Sequence, residues 1–174
     1  MKKNTIVKCA SVFLMLVGVG TQSALANHGV AQHAANSCFP RVFSQIDQFL
    51  VSSGGLRNSN ANSRSIICSI DSNALDPDPE FTGMRVFLGF EQLDPGQEMS
   101  CTLYTRSAGT GALLDSVTTV FDSTNDGTNA QVGTVDWAAS GQNRTTISHY
   151  VQCAVPGNGR VFMTRSFYVN QVPV

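Results

Sequence analysis

Four of the five cysteines (Cys9 lies in the first 26 residues), one histidine on an alternating segment and two small groups of carboxylates are the side chains of this 174-residue chain whose types and spacing could do chemistry. Cys38, Cys68, Cys101 and Cys153 are separated by 30, 33 and 52 residues, with no C-x-x-C pair. Structural zinc sites draw thiolates from closely spaced pairs, so this spacing speaks against metal and for two disulfides. Three connectivities exist, and Cys38–Cys68 with Cys101–Cys153 is the expected one. The first bond ties an N-terminal segment to the first core strand; the second joins inward positions of two alternating strands. His149 alternates with Val151 and Cys153 and is expected to point inward. Catalysis would require a nucleophile and an orienting acid beside it. The chain contains neither G-x-S-x-G nor H-E-x-x-H, so a packed or hydrogen-bonded histidine is expected, and no enzyme activity.

Asp122, Thr124, Asp126 and Gly127 follow the opening of a calcium loop, D-x-[DN]-x-[DN]-G. Threonine takes the third position and Gly133 falls where the bidentate glutamate belongs, so Asp122 and Asp126 are weak calcium candidates in what reads as a polar loop with an Asp126-Gly127 turn. Asp76, Asp78 and Glu80 share a segment stiffened by Pro77 and Pro79, which reads as an exposed connection. A carbohydrate platform would draw on aromatic rings. Tyr104, Phe162 and Tyr168 face outward by alternation, and Trp137, the single tryptophan, reads as packed before it reads as a platform. No cofactor is expected: lysine is absent after Lys8, which removes Schiff-base and P-loop chemistry.

The elements that must position these residues are short apolar runs separated by turn residues. Ser65–Asp71 places Ile66, Cys68 and Ile70 on one face. Met84–Glu91 alternates Met84, Val86, Leu88 and Phe90 against Arg85, Phe87, Gly89 and Glu91. Met99–Arg106 turns Met99, Cys101 and Leu103 inward and Ser100, Thr102, Tyr104 and Arg106 outward. The turn Leu93–Glu98 between these two runs predicts a hairpin, with Pro95 fixing φ and Gly96 taking a positive φ. Leu113–Phe121 and Gln131–Ala138 form a second expected pair around the polar loop 122–129. Ile147–Val155 and Arg160–Asn170 complete seven strands. Val42–Val51 fits both a helical stripe and a strand, and a strand is expected for its second half. The expectation is an all-β, two-sheet antiparallel sandwich, jelly-roll-like, of about eight strands.

Residues 1–26 have the form of an export signal. Lys2, Lys3 and Lys8 make a basic start, Ala10–Gly20 an apolar stretch too short to span a bilayer, and Ala24-Leu25-Ala26 a small-x-small cleavage site. Residues 27–37, with His28 and His33, are expected to be a flexible mature N-terminus, and 38–174 the sandwich domain. After residue 26 the basic residues are eight arginines against twelve acids, a formal charge of −4. That balance excludes a nucleic-acid footprint, and no mature segment has the length of a membrane span. The chain is expected in the periplasm or the medium, an oxidising setting that lets the cysteines pair.

Five features stand in fixed order: Cys38 followed by Pro40; the turn Gly55-Leu56-Arg57-Asn58-Ser59-Asn60; Ile66-Ile67-Cys68; Cys101-Thr102-Leu103; and Tyr150-Val151-Gln152-Cys153-Ala154-Val155-Pro156. On these the chain resembles a broad group of small exported bacterial proteins of unassigned function. Their pattern is an early cysteine, a G-x-x-N-x-S turn, V-x-C-P, C-x-L and Y-x-L-x-C-x-x-P. Ser69 stands where the pattern has proline, and Asn60 where it has serine. The resemblance implies a disulfide-bonded β-sandwich of the envelope or medium and carries no catalytic residue over. The expected role is binding or structural, with a glycan or cell-surface component as partner. A carbohydrate-binding module and an assembling pilin- or coat-like subunit are the alternatives.

Overall fold

A computed structural model describes residues 29–52, 54–70, 83–91, 93–125, 127–136 and 146–169. The strands in chain order are β1 (Gly29–His33), β2 (Cys38–Pro40), β3 (Phe49–Ser52), β4 (Gly55–Asn58), β5 (Arg64–Ser69), β6 (Gly83–Glu91), β7 (Glu98–Ser107), β8 (Leu113–Asp122), β9 (Gly127–Asp136), β10 (Ile147–Val155) and β11 (Arg160–Val169). A helical turn, α1 (Ala34–Ser37), lies between β1 and β2, and a 3-10 helix, Phe43–Gln48, leads into β3.

The ladders define two antiparallel sheets. One runs β3-β4-β11-β6-β9, with β1 also on β11; the other runs β2-β5-β10-β7-β8. Within them β7 pairs β8, β6 pairs β9, β5 pairs β10 and β4 pairs β11. These pairs are nested, so β4 to β11 form one long hairpin rolled over on itself, which is a jelly roll. The expected two-sheet sandwich is therefore the arrangement found, β3 being the eighth expected strand; β1, β2 and β4 are additional, and Gly55–Asn58, read in the sequence as a turn, is a strand.

The alternation that marks each strand also builds the core. Met84, Val86, Leu88 and Phe90 of β6 are buried against Met99 and Leu103 of β7 and their neighbours across the sandwich. Each such side chain contributes roughly 1.5–3 kcal/mol of transfer free energy. Ile66, Cys68 and Ile70 share the inward face expected of them, as do Ile147, His149, Val151, Cys153 and Val155.

Several expectations are corrected. β6 and β7 do not form a hairpin: β6 lies in one sheet and β7 in the other, and Leu93–Glu98 is an arch across the end of the sandwich. Leu93 is buried there, plugging the core's end. β8 and β9 are likewise split between sheets. Alternation states which face of a strand is buried and is silent about which strand lies beside it. In the segment expected to be a flexible N-terminus, β1 pairs with β11, and α1 buries Ala34 and Ser37. Backbone bonds do this work, Ala35 N–H donating to the Gly54 carbonyl at 3.0 Å, so small polar residues hid it. Val42–Val51 is divided, 3-10 helix first and strand from Phe49, in keeping with the strand expected for its second half.

Candidate binding face on the six-stranded sheet

The outer face of the larger sheet gathers the arginines. Arg57, Arg160 and Glu91 stand in one cross-strand row on β4, β11 and β6. Arg165 and Phe87 form a second row with Gln131, and Phe167 and Arg85 a third with Thr134. First and third rows are separated by about 20 Å along the strands. All four arginines and Phe87, Phe162 and Phe167 are half-buried, as expected of side chains lying along a sheet.

Local chemistry fixes these groups. The Arg160 guanidinium pairs with Glu91, and Arg57 Nη2 donates to Asn158 Oδ1 at 3.3 Å. Phe87 and Phe167 meet edge to face at 5.5 Å, and Arg165 Cζ lies 5.8 Å from the Phe167 ring centre. Such contacts hold a guanidinium without consuming its hydrogen-bond donors. Two glycines make the room. A Cβ at Gly55 would meet Arg160 Nε at 2.5 Å, and one at Gly89 would meet the Phe162 ring at 2.7 Å. Arg160 and Phe162 thus lie down on the sheet.

A bulge in β11 between Val161 and Met163 decides which aromatics belong to this face. Val161, Thr164 and Ser166 point inward, while Phe162 and Phe167 point outward. Of the expected ligand-facing aromatics, Phe162 is on the outer face. Tyr168 is in backbone register with Met84. An uninterrupted two-residue period puts Phe162 and Tyr168 on the same side; the extra residue of the bulge brings Phe167 to the outer face. Phe87 and Phe167 are the aromatics the sequence reading missed, and only the bulge position would have revealed the second. Trp137 lies outside the described residues, as do Asp126, His28 and the segment Asp76–Glu80.

Tyr104 is on the outer face of the other sheet, opposite Tyr150. Their rings stack at 5.0 Å with 21° between planes, and Arg106 Nε donates to the Tyr150 hydroxyl at 3.0 Å. One face of Tyr104 is therefore covered by its neighbour. Asp122 Oδ1 accepts from the Thr124 N–H at 2.9 Å and from its hydroxyl at 2.5 Å, a turn-forming role. Among the described residues no cluster of three His, Cys, Asp or Glu could hold a metal ion.

His149 sits inside the sandwich, 6 % exposed, with Nδ1 3.1 Å from the Thr105 hydroxyl of the facing strand. Burial lowers its pKa to about 4, so the ring is neutral at pH 7.

The two disulfides are Cys38–Cys68 and Cys101–Cys153, each between directly opposed strand residues facing the core. They fit an oxidising compartment. Among the described residues no helix is long and apolar enough to cross a membrane. The motif Gly55–Asn60 is structural. Asn58 is fully buried; its amide donates to the carbonyls of Asn62, Val155 and Pro156, and its Oδ1 accepts from the Asn60 N–H. No known protein family, curated protein or solved structure matches the chain.

Proposed function

We propose that this chain is an exported, non-catalytic β-sandwich protein of the periplasm or medium that binds an acidic polysaccharide across the outer face of its six-stranded sheet. The observation that carries the reading is segregation of charge. Arg57, Arg85, Arg160 and Arg165, half of the arginines after residue 26, occupy that face with Glu91 and Asp136 in a chain whose mature charge is −4. Arginine forks suit carboxylates bidentately, and the interleaved phenylalanines offer apolar surface to the C–H faces of sugar rings. The export signal and the likeness to small exported disulfide-bonded proteins support the location. The core position of His149 supports a role without chemistry.

Titration of the protein with a polyuronate and with its methyl-esterified, neutral form tests the reading. Binding to the charged polymer is expected to weaken with salt. Replacing Arg85 and Arg165 together by alanine should lower the affinity at least tenfold, with the polymer's length unchanged after incubation. Equal binding to the neutral polymer, indifference to the double substitution, or shortening of the polymer would each refute it.

A further inference from the structure

On the margin of the sandwich the chain exposes a run of apolar side chains, of which Leu50 borders the binding face beside Arg57. Six of the nine exposed large hydrophobics among the described residues fall within thirteen positions: Phe39, Val42, Phe43, Ile46, Leu50 and Val51. Phe43, on the 3-10 helix, is 83 % exposed, and Val51 is 67 % exposed. This stretch passes from β2, the end strand of one sheet, through the 3-10 helix to β3, the end strand of the other. It therefore borders both sheets on the same side of the sandwich.

Among the described residues the outer edge of β3 has no strand beside it. Native sheets protect end strands by shortness, lysine, proline, inward charges or bulges. β3 is short, at four residues, but Phe49, Leu50, Val51 and Ser52 supply no charge, proline or bulge, and its described ladder lies on one side only, to β4. Of the two long end strands, β8 and β9, β8 shows a different management. It carries Asp115 and Asp122, its Thr119 hydroxyl donates to the Val132 carbonyl of β9 at 2.7 Å, and Val117 occupies the space over Gly133. That edge is turned toward its own molecule; beside the outer edge of β3 the described residues place no strand.

We infer that the β3 edge and its flanking apolar side chains form a two-fold interface with a second copy of this chain. Area favours that occupant. At exposures of 46–83 %, the six side chains present on the order of 600 Å². This is the upper end of what a monomer carries in one patch and most of the roughly 800 Å² per partner in a stable interface. The strand's own backbone groups supply the rest. Charge disfavours an anionic lipid surface, because the exposed Arg41 and Asp47 of the stretch cancel where a leaflet would select a basic cluster. Antiparallel pairing of β3 with its copy needs a dyad perpendicular to the sheet, which closes the contact at two subunits. The same dyad leaves both outer sheet faces on one side of the dimer. Two arginine-bearing faces would then form one surface, although the association stands without that consequence.

Sedimentation velocity of the processed chain over a concentration series, with a parallel series of thermal melts, tests the interface. A reversible monomer–dimer equilibrium is expected, with a melting temperature that rises with concentration. Phe43→Ala and Leu50→Lys should each raise the dimer dissociation constant by about thirty-fold or more, as central contacts do. Both side chains are exposed in the monomer, so the melting temperature at the lowest concentration should stay that of the wild type. A third variant, Leu113→Lys on β8, should leave the dimer intact. A wild type monomeric throughout the series overturns the proposal. So do open-ended polymers, dimers indifferent to Phe43→Ala and Leu50→Lys, or a patch whose substitutions abolish sedimentation with phosphatidylglycerol vesicles while leaving the oligomeric state unchanged.

Discussion

Replacing Asn58 by alanine should destabilise the protein by roughly 3–5 kcal/mol, far more than an asparagine on a turn normally costs. The side chain is fully buried at the end of β4 and serves three carbonyls, those of Asn62 and Val155 at 2.9 Å and of Pro156 at 3.1 Å. It also receives the Asn60 N–H at 2.9 Å. Truncation leaves the buried Val155 and Pro156 oxygens and the Asn60 donor without this partner, at about 1–3 kcal/mol for each group that water cannot reach. At about 2–4 °C per kcal/mol for a chain of this size, the melting temperature should fall by roughly 6–20 °C. Asn58→Asp sharpens the test. It keeps the acceptor for Asn60 but sets a carboxylate against three carbonyl oxygens, so at pH 7 it should be worse than alanine. Burial among acceptors raises the introduced carboxyl's pKa in the folded state above its unfolded value of about 3.9. The folded state then binds more protons, so the variant's stability is greatest below that value and is lost as pH rises. Urea unfolding of both variants at acid and neutral pH, each referred to the wild type at the same pH, measures the difference. A loss below about 1 kcal/mol for the alanine variant, or an aspartate variant no worse than alanine at pH 7, would refute the reasoning.

Two further predictions follow from the core. His149 has its pKa lowered by burial from 6.5 to about 4, so the unfolded chain takes up the proton first as pH falls. Stability is therefore flat above pH 6.5 and declines between 6.5 and about 4 by roughly 3 kcal/mol; His149→Leu should flatten that limb in urea titrations. Removing Cys101–Cys153 by paired alanine substitution should cost about 4 kcal/mol and removing Cys38–Cys68 about 3.5, from closed loops of 52 and 30 residues; chemical unfolding of each paired variant checks the order.

Legibility in the sequence followed the range of the forces involved. Burial on one face leaves a period-two trace, so β6, β7 and β10 could be read with their inward residues. Sheet partnership leaves no such trace. Leu93–Glu98 has every residue a hairpin turn requires, yet it carries the chain between sheets because Leu93 is buried over the core's end. The bulge at Phe162 is one residue long, and it shifts the phase of the strand after it, which brings Phe167 to the outer face. β1 was hidden because Gly29–His33 is held by a ladder and not by large side chains. Asn58 belongs to a motif that could be quoted but not explained. Its meaning requires Val155 and Pro156, about a hundred positions away and brought near only by the pairing of β4 with β11. The arginine face was invisible for the same reason, since its residues lie on three strands.

The placement of the second disulfide bears on how the roll is held. In the nested hairpin β7 pairs with β8 and β10 with β5; both ladders exist before any rolling. The β7–β10 ladder is different, because it arises only when the long hairpin curls and brings distant pairs side by side. Cys101 and Cys153 face each other in that ladder. The crosslink thus fixes a contact that closes a 52-residue loop, and restricts the unfolded chain accordingly. Cys38–Cys68 acts at the opposite margin, fastening the three-residue β2, which could not hold its place by three ladder positions alone. One sulfur pair secures the closure of the roll, and the other anchors the strand from which the exposed apolar segment departs.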